Sequence, residues 1–276
     1  MLNHSSIGVF DSGYGGLTVL EEIKKLLPNY DFTYLGDNAR APYGNRSYDV
    51  IYGFTLEAVK YLFKQGCPLV IIACNTASAK ALRSIQQTDL NQIAPTNRVL
   101  GVIRPSTEEI GMLTQTNHVG ILGTTGTIQS QSYEIELEKF SPQIKITQHA
   151  CPMWVPLIEN NEHNSVPGKM FIEADVKALL KQDSQIDTVL LACTHYPVIK
   201  NQIQDILGKD IKVVSQGPIV AEKLQSYLIR HPEIESRITK YGSIRYLTTE
   251  NNLVFDKKAG QFLNQIINSE HVEIAS

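Results

Sequence analysis

The chain has no long apolar run. Its longest uninterrupted stretches, such as residues 69–74, fall far short of the ~20 residues a membrane helix needs, so no membrane association is expected. It has no excess of positive charge either. Its 25 Lys and Arg stand against 28 Asp and Glu, a formal net charge of −3, which argues against a nucleic-acid partner. The first residues, MLNHSSIGVFDSG, carry neither a positive flank nor an apolar core, so a secretory leader is not expected. Cysteine is scarce. Cys67, Cys74, Cys151 and Cys193 are far apart and form no CxxC pair and no zinc-ribbon spacing. That disfavours a dithiol redox centre and a structural zinc, and the four read as reduced thiols of a cytoplasmic protein. Length and composition leave a globular protein: 276 residues, 42% hydrophobic and 19% charged, enough for one large or two small domains.

What the sequence does have is alternation. Short apolar runs at Ile7–Phe10, Phe32–Gly36 and Leu69–Ala73 predict strands. Amphipathic stretches between them predict helices over Leu17–Leu27 and from Tyr48 to about Gln65, the latter preceded by Ser47 and stopped by Gly66. A helix is expected from Asn75 or Thr76 to about Gln87, then a polar stretch over Gln86–Asn97. The pattern restarts with strands at Val99–Ile103, Val119–Leu122, Ile144–His149 and Thr188–Ala192, and helices at Ile128–Phe140 and Gly168–Lys181. Residues 150–166, rich in Pro and Asn, read as a long loop. The tail adds strands at Lys212–Val214 and Ser243–Leu247 and helices at Ile219–His231 and Ala259–Ile267. Strand–helix alternation implies parallel, doubly wound sheets.

One pattern occurs twice. Residues 71–79 read IIACNTASA and residues 190–198 read LLACTHYPV, each an apolar run, then Ala-Cys, then a Thr within two residues. The turn IGVFDSGYGG (7–16) has a counterpart in VGILGTTGT (119–127) at a similar distance before its cysteine. Two halves of similar topology are therefore expected, each ending a strand on a thiol. Ligands of such sheets bind at the carboxyl ends of strands, so two ends that face each other would enclose a site.

Two thiols facing one substrate suit the removal of a proton from carbon. An amino acid's α-carbon is a very weak acid, and inversion there needs one group to take a proton while another delivers one from the opposite face. Cys74 and Cys193 each directly precede an expected helix start, where the macrodipole favours a thiolate. Asp11 and Ser12 lie in a glycine-rich turn that is not GxGxxG. Asp11 suits an ammonium group or a nearby thiol, although an N-cap in a tight turn is the plain alternative. His195 is placed to serve Cys193, to cap a helix, or to ligate a metal, for which no third ligand stands at recognisable spacing. Asn75, Thr76 and Thr194 are ordinary N-cap types, and the unpaired N–H groups they start could also hold a carboxylate. Cys67 and Cys151, each before a proline, read as packing residues.

With these residues in place, the chain resembles the glutamate racemases of the aspartate/glutamate racemase superfamily along nearly its whole length. The resemblance is carried by GVFDSGYGGLTV (8–19), YLGDNARAPYG (34–44), IIACNTASA (71–79), GVIRPS (101–106), LGTTGTI (122–128), CPMWVPLIE (151–159) and LLACTHYP (190–197). It implies Cys74 and Cys193 as catalytic acid/bases, the first working on the D- and the second on the L-enantiomer, assisted by Asp11 and His195. It implies substrate contacts from Asp11, Ser12, Tyr43, Gly44, Asn75, Thr76, Thr124, Thr127, Glu159, Thr194 and His195. It further implies glutamate as substrate, no cofactor and no metal, a homodimer, and a product that feeds peptidoglycan synthesis and so cell-wall biogenesis and cell shape. The expected fold is α/β: two pseudo-symmetric doubly wound parallel-sheet domains with the active site between them. Residues 1–98 with 212–276 would form the Cys74 side and residues 99–211 the Cys193 side. Four positions depart from the family's commonest pattern: Tyr14, Asn38, Arg104 and Ser106.

Overall fold

A computed structural model of the protein describes residues 5–274. The start of the segment read for a leader, Met1–His4, lies outside the described residues. Among the described residues, ten strands form two sheets. β1 (Ile7–Asp11), β2 (Phe32–Gly36), β3 (Leu69–Ile72), β4 (Arg98–Gly101), β9 (Ile244–Thr248) and β10 (Ser269–His271) make one, in the order β10-β9-β2-β1-β3-β4. β5 (His118–Gly123), β6 (Lys145–Ala150), β7 (Thr188–Ala192) and β8 (Lys212–Ser215) make the other, in the order β6-β5-β7-β8. Every pairing is parallel. Every residue of β1, β2, β3 and β7 is buried, because helices cover both faces of each sheet.

The expected repeat is visible in the strand order. β2-β1-β3-β4 in one sheet corresponds to β6-β5-β7-β8 in the other. In each, the chain runs from the central strand to one side and then returns to the other. The reversal opens a crevice between β1 and β3, and between β5 and β7, at the strands' carboxyl ends. Asp11 and Cys74 stand at one crevice, Thr124 and Cys193 at the other.

The strands at the chain crossovers sit differently from expectation. The strand expected at Val99–Ile103 to open the second half is found at Arg98–Gly101 as the edge strand of the first sheet, paired Leu69 with Arg98 through Ile72 with Gly101. Gly101 fits there because Leu82 and Ser78 press against it: a Cβ would lie 2.6 Å from Leu82 Cδ2. The strand expected at Lys212–Val214 in the first half is found at Lys212–Ser215, extending the second sheet beside β7. The chain therefore crosses between sheets just after β4 and just after β8. The helix Ile103–Leu113 packs on the second sheet's helices and Gln216–Arg230 packs on Leu17–Leu26 of the first.

Other differences are local. Residues 150–166 contain a helix, Trp154–Glu159, because Pro156 falls in its first turn, where a missing N–H costs nothing. The helix after Cys74 runs only Asn75–Lys80, and irregular helical turns continue to Ile93 through what read as a polar stretch. The expected helix Ile128–Phe140 is two, Thr125–Gln129 and Ser132–Phe140, split at Gln131 in the left-handed region. The last helix is Asn252–Leu263, earlier than expected, because the Asn251 side chain accepts from the N–H groups of Leu253 and Val254. No helix among the described residues is long and apolar enough to cross a membrane.

Candidate active site

The two Ala-Cys turns face one cleft. Cys74 and Cys193 both line it and are 5% and 6% exposed. Ser12, Tyr43, Gly44, Asn75, Thr76, Thr124, Glu159, Thr194 and His195 line it with them. Asp11 and Thr127 stand directly behind this wall. Asp11 Oδ2 accepts from Gly13 N at 3.0 Å and Oδ1 from the Thr194 hydroxyl at 3.3 Å. Thr127 Oγ1 lies 3.0 Å from Thr124 Oγ1. The cleft is closed across its middle by contacts between the two halves: Gly126 N donates to Gly44 O at 2.9 Å, and the Thr76 and Thr124 hydroxyls lie 3.0 Å apart.

The two thiols sit in unlike surroundings. Cys74 caps the helix Asn75–Lys80, its sulfur accepting from Ala77 N at 3.5 Å and lying 3.4 Å from Ser12 Oγ. Burial, and then the nearby Asp11 charge, push the Cys74 thiol up to about 12. This reverses the lowering expected from a helix N-terminus: Ser12 and the Ala77 N–H do favour the thiolate, but desolvation outweighs them. Burial also raises the Asp11 carboxyl above its ordinary 3.8, against the opposing His195 charge and its hydrogen bonds from Gly13, Gly16 and Thr194. Burial therefore favours the protonated form of both the thiol and the carboxyl.

Cys193 is followed by a single 3-10 turn, Tyr196–Ile199, so the α-helix start expected directly after it is displaced to Lys200. A charged partner takes its place. Cys193 Sγ lies 3.9 Å from His195 Nδ1, and His195 Nε2 lies 2.9 Å from Glu159 Oε1. Burial alone would discharge the imidazole, but its hydrogen bonds with Cys193 and Glu159 outweigh burial and hold its pKa at about 10. Glu159 is shifted below 4.5: burial works against the shift, and the His195 hydrogen bond and charge overcome it. An imidazolium is therefore held beside Cys193 at neutral pH.

The pair links stability to pH. The raised His195 contributes fully below about 6.5 and loses its share as pH rises through about 10. The lowered Glu159 contributes above about 4.5 and loses its share as pH falls through its depressed folded value. Replacing Glu159 with Gln removes one of the two partners, beside Cys193, that keep His195 protonated. The alkaline limb of the pH–kcat/KM profile is then expected to move down by at least about one pH unit. An unmoved limb would rule out His195 as the group that sets it.

Sequence reasoning missed several supports. Asp37 accepts from the Tyr43 hydroxyl and from Arg40 Nε at 2.7 Å, which fixes the Tyr43 ring against the cleft. Cys151, read as a packing residue, does pack beside Trp154 and also forms part of the cleft wall. Among the described residues, one set of side chains has metal-ligand spacing: His149, Cys151 and Asp175, with donor atoms within 4.8 Å of one another. His149 and Asp175 already pair at 3.0 Å, and neither Cys74 nor Cys193 belongs to the set.

The family model described as Asp/Glu/Hydantoin racemase matches residues 7–224. The chain belongs to this racemase family. Curated relatives share most or nearly all of its length. A glutamate racemase of Streptococcus suis is 36% identical over 275 residues, covering 99% of this chain and 100% of its own. Among solved structures, a glutamate racemase isoform from Bacillus anthracis superposes with a TM-score of 0.89 at 34% identity, over 98% of both chains. A glutamate racemase from Francisella tularensis, solved in complex with D-glutamate, gives 0.86 at 32% identity over 99% of both.

Proposed function

We propose that the protein is a glutamate racemase that inverts the α-carbon with two thiols, Cys74 and Cys193, and no cofactor. The observation that carries the reading is the pair of buried sulfurs lining one cleft from two pseudo-symmetric halves. Full-length likeness to glutamate racemases supplies the substrate.

In one direction a Cys193 thiolate takes the α-proton of L-glutamate, and the Cys74 thiol delivers its own proton to the opposite face. Cys74 is left as thiolate and Cys193 as thiol, and proton exchange with solvent resets the pair. The reverse direction starts from a Cys74 thiolate and ends with Cys193 having given up its proton. The His195 imidazolium balances charge at Cys193, and Asp11 is the proton acceptor on the Cys74 side. The hydroxyls of Ser12, Thr76 and Thr124 and the free N–H groups that open the helix after Cys74 hold the substrate's carboxylates. The strand pairing supports a division into two domains, residues 102–215 against the remainder. The D-glutamate formed would serve peptidoglycan synthesis in the cytoplasm of a bacterium, and the enzyme would act as a homodimer.

Incubation with each glutamate enantiomer in deuterated water tests the reading. Product formed early should carry α-deuterium while recovered substrate carries little. Early and equal labelling of both would point to a single base. Turnover of aspartate alone would overturn the substrate.

A further inference from the structure

A buried polar network ties the Cys74 turn to both chain crossovers. Asn75, the residue after the thiol, is held at both ends of its amide. Its Oδ1 accepts from the Tyr133 hydroxyl at 2.6 Å, and its Nδ2 donates to Gln216 Oε1 at 2.6 Å. Gln216 Nε2 then donates to Tyr133 Oη at 2.8 Å, to Ser106 Oγ at 2.8 Å and to Val102 O at 3.2 Å. Ser106 closes the set by donating to Val102 O at 2.7 Å. All four side chains are buried.

The network's position in the fold is informative. Val102 and Ser106 belong to the first crossover, between β4 and the second sheet. Gln216 opens the helix at the second crossover, directly after β8. Tyr133 comes from the helix Ser132–Phe140 of the second half. The only residue of the set that touches the cleft is Asn75. An Asn whose carboxamide is engaged at both ends is braced by the protein, and a fully satisfied buried network fixes geometry more firmly than its bonds taken singly. No member of the set hydrogen-bonds to Cys193, Thr194 or His195, whose own supports are Glu159, Asp11 and Thr18, and only the charge of Cys193 reaches the Tyr133 hydroxyl.

We propose that Tyr133 and Gln216 are positioning residues for the Cys74 step, acting through the hydrogen bonds they make with Asn75. The inference rests on the two-thiol reading above. It also gives Ser106, one of the departures from the family pattern, a defined task as acceptor for Gln216.

Tyr133→Phe deletes one hydroxyl and keeps the ring, and Gln216→Met deletes the amide at similar volume. Each variant is compared with wild type by polarimetry, using α-protiated and α-deuterated D- and L-glutamate, with a thermal melt alongside. A buried group left unpaired supports an expected loss of roughly tenfold in kcat/KM. The loss must be equal in both directions, because the enantiomers have equal free energy. The isotope effects separate the two directions. With the Cys74 step slowed, breaking the bond to deuterium limits the D-substrate, so its isotope effect stays at or above the wild-type value. The L-substrate gives up its deuterium earlier, to Cys193, so its isotope effect falls towards one.

A kcat/KM within twofold of wild type in both variants would overturn the proposal. So would a loss with the ratio of the two isotope effects unchanged, which is what destabilisation alone would give, and so would the opposite asymmetry, which would place the disturbance at Cys193. If wild type fails to racemise glutamate at all, the parent reading falls before any variant is compared.

Discussion

Alanine at either cysteine is expected to lower racemisation by at least about 10²-fold, because each thiol supplies one of two proton transfers and general acid–base groups contribute about 10²–10⁴-fold each. The two losses should differ in what remains. In Cys74→Ala, Cys193 still faces the α-proton of L-glutamate, with the His195 imidazolium 3.9 Å from its sulfur. Residual exchange of the α-hydrogen with solvent is then confined to L-glutamate. In Cys193→Ala it is confined to D-glutamate and is the slower of the two, because burial and Asp11 hold the Cys74 thiol near 12. Proton NMR in deuterated water reads both exchanges directly. Retention of a tenth of wild-type racemisation by either variant would sink the two-base mechanism.

That asymmetry was partly legible in the sequence. Unlike neighbours follow the two thiols, Asn75 and Thr76 in one case and Thr194 and His195 in the other, and the imidazole can only serve the second. The partner that keeps His195 charged was harder to see. Glu159 lies 36 residues earlier, in a segment whose two prolines and asparagines read as loop. It reaches the ring from the helix Trp154–Glu159, which tolerates Pro156 because that residue falls in the first turn, where a missing N–H costs nothing.

The strands themselves were easy to recognise, since a strand of a parallel sheet is covered on both faces and so reads as a short continuous apolar run. Their assignment to sheets was harder. Arg98–Gly101 and Lys212–Ser215 are short edge strands, and nothing in an edge strand's own composition states which neighbour it pairs with. The Asn75–Gln216–Tyr133 network was invisible for a related reason. Its members are 58 to 141 residues apart, and each residue type is ordinary by itself. By contrast, the glycine-rich turn after β1 was plain in the sequence as a candidate part of the site, and the structure adds that Thr194 and His195 press against it.

Gly15→Ala is expected to cost about 10²-fold or more in kcat/KM with the fold retained. A Cβ at position 15 would stand 2.4 Å from Thr194 Oγ1 and 2.5 Å from His195 Nδ1, far inside contact distance. Neither group has room to retreat. Thr194 is held through its carbonyl by the Thr18 hydroxyl at 2.9 Å and through its own hydroxyl by Asp11 at 3.3 Å. The His195 ring is held on its far side by Glu159 at 2.9 Å. The added methyl must therefore displace the groups that flank Cys193, and misplacement by about 1 Å costs roughly 10²-fold when reacting atoms must align. Gly53→Ala is the matching control. It lies within the helix Tyr48–Lys64 with nothing within 4 Å of its Cβ position. There the same methyl should leave kcat/KM unchanged and raise stability by about 0.5–1 kcal/mol through the lower entropy of the unfolded chain. If Gly15→Ala stays within threefold of wild type while its melt is unaltered, the first glycine-rich turn does not set the position of the second thiol's partners, and the close fit between the two halves has no catalytic role.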